Sequence, residues 1–326
     1  MTTNAIFVSV VIVNWNGAEV LPECLESLLA LNHKNIEIVV VDNGSTDDSI
    51  DVVNRICKNK AKVIPLKKNI GFAAGMNVGF ENARGEFIAT LNNDMIAEPS
   101  WLDQPLELML KDKSIGIISC RQMNYFNRNK IDGLYHRITK ELVLMPFGNG
   151  YEFQRDNLYS KTGRVISANG GSAILRTATV KQIGGYDADF FGYMEETDFC
   201  LRAFLHDWRC VYAPDSVVYH MDGFSFKKNK GYQYYLLQRN RIWFLYKNIP
   251  ISDILRRLPY IIFVELRIAG GFFFKIMKPS LYFKARLDAI RGLKRYKNIR
   301  KENTALFKKK RNEFYHFEKC KKLDMF

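Results

Sequence analysis

The chain has 326 residues, 47% of them hydrophobic and 25% charged. That balance excludes a disordered or fibrous polymer and leaves room for one large or two ordinary domains. The net charge of +14 is unevenly placed: residues 1–220 carry 22 Lys+Arg against 26 Asp+Glu (−4), and residues 221–326 carry 26 against 8 (+18). An asymmetry of this size points to a polyanionic partner for the tail, either nucleic acid or anionic lipid. The six cysteines, at positions 24, 57, 120, 200, 210 and 320, show no CxxC or metal-ligand spacing, and the start "MTTNAIFVSVVIV" lacks the basic region of a cleavable signal. Free thiols in a reducing cytosol are therefore expected.

Strand and helix signals alternate from the N-terminus. "FVSVVIV" (7–13) is a continuous, largely β-branched run, as in a strand buried on both faces. After "NWNG", the residues Val20, Leu21, Cys24, Leu25, Leu28 and Leu29 recur at helical spacing. "IEIVVVD" (36–42) is a second buried strand. "NGSTDDS" then turns the chain, with Ser45 or Asp47 available to cap a helix through "IDVVNRIC". "AKVIPL" predicts a third strand, "NIGFAAGMNVGFENA" a loop and helix, and "EFIATL" a fourth strand. Such alternation implies an α/β fold with parallel strands and crossover helices. Ligands in such sheets lie at the C-terminal strand ends, and Asn14, Asp42, Asn69 and Asp94 each fall just after a strand.

Beyond Gly116 the pattern is less regular. "IGIISC" predicts a strand, and residues 122–165, polar with Gly-rich "FGNGY", predict excursion loops. "VISANGGSAILRTATVKQIGGYD" reads as a strand with a Gly turn, then a short helix closed by Gly184 and Gly185. "MEETDFCLRAFLHDW" reads as a helix and "RCVYAPDSVVYH" as a strand pair ending at His220. In the tail, "YYLLQRNRIWFLYKN" mixes aromatics with arginines, and residues 258–274 form the most apolar run. That run has 17 residues and includes Glu265 and Arg267, short of the roughly 20 apolar residues a spanning helix needs. An interfacial or re-entrant segment is expected, its flanks Arg256, Arg257, Lys275, Lys278, Lys284 and Arg286 suiting anionic headgroups. The opposing reading packs residues 232–274 on the preceding domain as helices with solvated lysines.

Asp42 and Asp94 at one rim, with the amides of Asn14, Asn43, Asn77 and Asn93, offer hydrogen bonds to a base, a ribose and phosphates. There is no GxxxxGK[ST] loop, and no GxGxxG opens a helix after the first strand. A nucleotide diphosphate would then be neutralised through a metal on hard oxygen ligands, Asp94 among them. Glu195, Glu196 and Asp198 start a predicted helix, where they complement its dipole. In their aromatic, Gly-rich setting, "DFFGYMEE", one of them is also a candidate general base. His220 is open to a structural role or, beside a carboxylate, to metal ligation.

Five stretches in order, "VSVVIVNWNG", "VVVDNGSTDDS", "NIGFAAGMNVGFENARGEFIATLNND", "GGYDADFFGYMEETDFCLRA" and "VVYHMDGFS", resemble the successive motifs of family 2 glycosyltransferases over about residues 7–245, and most of all the rhamnosyltransferase-like branch. The resemblance implies a GT-A fold: a Rossmann-like, mixed but mainly parallel sheet flanked by helices, here with a helical, membrane-associated tail. It also implies inverting transfer from a nucleotide-diphosphate sugar. In that reading Asp42 is the base- or ribose-binding acid, and Asn14 and Asn43 meet the nucleotide. Asn69, Gly71 and Asn77 belong to the loop that closes on it. Asn92, Asn93 and Asp94 occupy the DxD position, with Asp94 as the carboxylate for Mg2+ or Mn2+. Glu196 matches the catalytic base beside Glu195, and His220 completes the metal shell. Gly171, Ser172 and Glu195 fall near the acceptor or sugar. Two departures stand out: Asn92 replaces the first Asp of DxD, and the base is Glu where the family has Asp.

The expected organisation is a catalytic domain over 1–228, with a nucleotide-binding half (1–95) and an acceptor half (96–228), and a basic, aromatic-rich helical region over 229–326. The implied acceptor is a growing glycan or polyprenyl-linked glycolipid in cell-surface polysaccharide synthesis, met by the tail on the inner face of the cell membrane. Transfer of a sugar, a rhamnosyl group among the candidates, to polyprenyl phosphate is an alternative. A non-enzymatic nucleic-acid binder would leave the front motifs without purpose, so no nucleic acid is expected.

Overall fold

The computed structural model describes residues 5–142, 144–154, 158–221, 230–275 and 277–319. The chain runs β1 (Val8–Asn14), α1 (Leu21–Leu29), β2 (Ile36–Asp42), α2 (Ser49–Cys57), β3 (Ala61–Pro65), α3 (Phe72–Asn82) and β4 (Phe87–Leu91). It continues through β5 (Met95–Ala97), α4 (Asp103–Lys111), β6 (Ile115–Asn124), β7 (Ile131–Gly133), β8 (Tyr135–Ile138), β9 (Leu144–Phe147), β10 (Gly163–Val165), β11 (Ser167–Ala168) and β12 (Ser172–Arg176). Then come α5 (Thr177–Ile183), α6 (Glu195–Leu205), β13 (Arg209–His220), α7 (Lys230–Asn248), α8 (Ile251–Arg256), α9 (Leu258–Gly270), α10 (Pro279–Gly292) and α11 (Lys297–Lys319).

The main sheet has the order β10-β13-β6-β12-β4-β1-β2-β3. β1 pairs in parallel with both β2 and β4, and β2 with β3, while β12 is antiparallel to β4 and β6. This is the mixed, mainly parallel GT-A arrangement that the motifs imply. Alternate side chains of each strand feed opposite layers. Val8, Val10, Ile12, Ile38 and Val40 pack with Leu21, Leu25 and Leu28 of α1 and Leu106 of α4. Val11, Val13, Val39 and Val41 pack with Met76 and Phe80 of α3 and Phe199 of α6. Both faces are thus covered, which is why β1 and β2 read as unbroken apolar runs.

Three sequence expectations change. Residues 122–165 are not plain loops: they supply β7 to the main sheet and β8 and β9, which with β11 make a second, three-stranded sheet. Residues 209–220 form one strand, not a pair, with a register shift against β6 between Ala213 and Val217. The N-cap of α2 is Asp48, without a side-chain bond. Ser45 turns instead to the β1–α1 loop and accepts from the Asn16 N–H at 2.9 Å, while Asp47 accepts from the N–H of Ser49, the first helical residue.

The helices after β13 do not stand apart. Trp243 and Phe244 of α7 and Phe307 and Phe314 of α11 share an apolar cluster with Leu201, Phe204 and Leu205 of α6 and Ile138 of β8. α9 differs, with no buried residue. Ile262, Phe263 and Leu266 are exposed on it, and so are Phe273 and Phe274 beyond it. No helix among the described residues is long and apolar enough to cross a membrane. The "MDGFS" residues 222–225, the expected boundary at 228/229 and Cys320 lie outside the described residues, and the other five cysteines are free and buried.

Candidate active site

The sheet changes direction of winding between β2 and β4, on either side of β1, and the C-terminal ends of these strands open on one crevice. Asp42 and Asn14 end β2 and β1 directly opposite each other. The Asn14 amide donates to Asp42 Oδ1 at 3.2 Å, and its carbonyl accepts from the Asn93 amide at 2.8 Å. Asp42 Oδ2 accepts from the Ser45 N–H at 3.0 Å. One line of side-chain bonds therefore joins three strand ends. Gly17 lies over it, where a Cβ would come 2.3 Å from both Asn14 Oδ1 and Asn93 Nδ2.

The neighbouring loop is braced in the same way. Asn43 accepts from the Ile70 N–H at 3.0 Å and donates to Asn69 Oδ1 and to the Gly71 carbonyl, each at 3.2 Å. Gly71 has φ +93°, and a Cβ there would sit 2.6 Å from the Phe191 ring. Asn77 exchanges two 2.7 Å bonds with the backbone of Tyr186. Asn43, Asn69 and Asn77 are thus spent on holding the loop and on joining α3 to residues 185–187.

The shift in β13 matters at the second corner. Past it, Val218–His220 runs antiparallel to β5, which sets His220 opposite Met95, and Met221 N–H donates to the Asp94 carbonyl at 3.0 Å. His220 Nε2 then lies 3.6 Å from Asp94 Oδ1, and its Nδ1 lies 2.8 Å from Asp132 Oδ2. Burial opposes a charge on His220, but bonding to Asp132 and the charges of Asp94 and Asp132 outweigh it and raise its pKa to about 10. Asp94 Oδ1 is buried without a hydrogen-bond partner among the described residues. The side-chain amide of Asn92 has none there either, while its backbone N–H donates to the Gly171 carbonyl at 2.8 Å.

The third corner is the acid pair. Glu195 is buried, with Oε2 unpartnered among the described residues. Burial, then the adjacent Glu196 charge, push its carboxyl well above the usual range. Glu196 is half-buried and packs on Gly170, where a Cβ would come 3.2 Å from its carboxyl carbon. The Tyr193 phenol is pushed up by burial and then by the charges of Glu195, Asp94 and Glu196. Gly171, in the same turn as Gly170, packs on Met95 and Asn92. Ser172 is buried in β12, between β4 and β6.

The acids are delivered by a strained turn. Phe191, Tyr193 and Met194 all have positive φ (66°, 68° and 72°), each a cost that surrounding structure must offset. α7 supplies the ties. The buried Asn240 amide donates to the carbonyls of Phe190, Gly192 and Tyr193 at 2.8–3.0 Å. Buried Lys247 pairs with Asp187 at 2.6 Å and with Asp198 of α6 at 2.9 Å.

Sequence reasoning missed Asp132, Asn240, Lys247 and also Trp15, whose indole is 46% exposed directly after Asn14. It also over-counted free cations beside the apolar run. Arg257 pairs with Glu318, Lys284 with Asp288, and Arg286 with Glu265.

The profile of the family described as glycosyl transferase family 2 matches residues 9–184. Glu195, Glu196 and His220 lie beyond that stretch. An uncharacterized glycosyltransferase of Nostoc sp. is 36% identical over 113 residues, which is 34% of this chain and 35% of that protein. The matched stretch thus spans about a third of that relative. The structure of Staphylococcus aureus TarS 1–349 aligns over 96% of this chain and 87% of its own, with TM-score 0.57 and 18% identity. A mannosyltransferase of Pyrobaculum calidifontis, solved with GDP-Man and Mn2+, aligns over 96% and 86%, with TM-score 0.57 and 17% identity. The profile covers more than half of the sequence, and the sheet it folds into has the arrangement its motifs imply: the chain belongs to glycosyl transferase family 2.

Proposed function

We propose that this protein transfers a glycosyl group, hexosyl or deoxyhexosyl with rhamnosyl among them, from a nucleoside-diphosphate sugar to a hydroxyl of a glycan or polyprenyl-linked glycolipid, inverting the anomeric carbon. The observation that carries the reading is buried Asp94 after the end of β4, with Oδ1 lacking a hydrogen-bond partner among the described residues and lying 3.6 Å from His220 Nε2, in a chain of this family.

Asp42 is placed to accept from the ribose or base, and Trp15 offers an exposed indole face for stacking. The residues fit a divalent cation, Mg2+ or Mn2+. Asp94 Oδ1 is an orphaned buried oxygen facing an imidazole nitrogen 3.6 Å away, too far for a hydrogen bond. Among the described residues no set of three His, Cys, Asp or Glu is spaced for a metal. Asp94 and His220 would therefore hold the cation together with the diphosphate, whose developing negative charge it would neutralise. Burial and the neighbouring Glu196 charge favour the protonated form of Glu195; Glu196, half-buried on Gly170, is the acid assigned as base. Glu196 takes the proton of the acceptor hydroxyl as that oxygen bonds to the anomeric carbon, and the bond to the diphosphate oxygen breaks with its electron pair.

The exposed apolar residues of α9 and the turn after it, with Arg256, Arg267 and Lys278 nearby, support docking on an anionic membrane at the cytoplasmic face. The test of the chemistry is Glu196→Gln, with a donor chosen by screening UDP-, GDP- and dTDP-sugars for nucleotide release with and without Mn2+. Turnover is expected to fall by about 10²-fold or more with donor affinity retained; undiminished turnover would exclude Glu196 as base.

A further inference from the structure

Asp132 sits on a strand, yet its side chain serves none of that strand's pairing. The β6–β7 ladder passes from Gln122↔Gly133 to Met123↔Ile131, so Asp132 is the extra residue of a bulge, a device that re-aims a side chain. It aims at His220, 88 residues later in sequence, with Oδ2 2.8 Å from Nδ1. The strand around it is fixed on both sides. Ile131 is buried, and the Asn149 amide donates to the Asp132 carbonyl at 2.8 Å. Gly133 lies so close to Asn169 that a Cβ would come within 1.9 Å of its amide nitrogen. His220 is fixed as well, its carbonyl accepting from the Tyr125 N–H at 2.9 Å.

We propose that Asp132 is the positioning residue of the metal site: its carboxylate accepts the Nδ1–H of His220 and so turns the Nε2 lone pair toward the cation shared with Asp94. The inference rests on the metal reading given above. A carboxylate can only accept, so the Nδ1 proton stays between the two groups, and Nε2 would ligate once its own proton is lost. The same bond fixes the ring plane and strengthens the ligand, the recognised work of a carboxylate behind a metal-bound imidazole. The bulge explains why an otherwise polar excursion returns to the main sheet at this point: it brings Asp132 behind a histidine that the register shift of β13 has already set beside Asp94.

The test measures Mn2+ binding to the full chain by EPR of the free ion, in the presence of a saturating nucleoside diphosphate of the kind released in the donor screen. Asp132→Ala is expected to weaken binding by about 10- to 100-fold, as His220→Ala does, and Asp132→Asn, which keeps an uncharged acceptor, by less. Because Asp132 acts only through His220, the double alanine variant should bind no worse than His220→Ala alone. Far-UV CD and Tm check the fold, and should Asp132→Ala not fold, the isosteric Asp132→Asn carries the comparison. Two results would overturn the inference: wild-type Mn2+ affinity in the Asp132 variants while Asp94→Ala and His220→Ala lose it, or additive losses in the double variant, which would make Asp132 a ligand in its own right. Undiminished binding in Asp94→Ala and His220→Ala would instead remove the metal reading, and the role of Asp132 with it.

Discussion

Glu195 and Glu196 share a helix turn but not an environment. Glu195 is shut in with an orphaned oxygen and a raised pKa, whereas Glu196 is half-buried on Gly170. Because a buried neutral carboxylic acid resembles its amide in charge and shape, Glu195→Gln is expected to keep turnover within about tenfold of wild type, against the collapse expected for Glu196→Gln. Steady-state kcat for the two variants measures the difference, and equal collapse would show that the pair works as one unit. Asp94, Glu196 and His220 stand out in the sequence as candidates because each falls at the end of a strand or the start of a helix, where sequence alone marks a rim. Asp132 was not legible: it lies in a polar stretch with no period, and only a bulge gives its side chain a direction. Trp15 was not legible either, since nothing in the four residues "NWNG" tells an exposed indole from a packed one.

The parallel strands were legible because strands covered on both faces must be apolar throughout. The second sheet was not, since its strands are two and four residues long and too short to show alternation. α7 is the element whose role most exceeds its appearance. Its sequence shows only a mix of arginines and aromatics, yet Lys247 is buried between Asp187 and Asp198. Burial alone would raise the Asp198 carboxyl; Lys247, Arg202 and the Asn248 amide outweigh it and hold it at about 2. A folded pKa below the unfolded value of about 3.9 gives stability that is present above pH 4 and lost as pH falls toward 2. Lys247→Met is therefore expected to cost about 1.5–3 kcal/mol at neutral pH, because it removes one cation from a buried carboxylate that Arg202 and Asn248 still hold, and to flatten the loss of stability between pH 4 and 2. Thermal unfolding as a function of pH reads both effects.

Across the whole molecule the charge asymmetry is real, but much of the basic tail is engaged internally. Glu265, the one acid in the apolar run, is turned inward to Arg241 and Arg286 at 2.7 and 2.5 Å. The outward face of α9 is left apolar, bordered by cations. Replacing Phe263, Leu266 and Phe274 by Ser should leave the fold intact, since all three are exposed. The same change should sharply reduce flotation of the protein with vesicles containing phosphatidylglycerol. Flotation unchanged by these substitutions, or retention on nucleic acid at matched salt, would argue against the membrane reading.

The bonds from Asn240 to residues 190–193 also set an order of events during synthesis. The ribosome makes the turn carrying Glu195 and Glu196 some fifty residues before the amide that holds its three carbonyls. Until α7 has emerged and docked, three left-handed residues lack the Asn240 tether, and the nascent chain carries its acids without it. Catalytic competence should arrive late in translation, after the strands that identify the family are already in place.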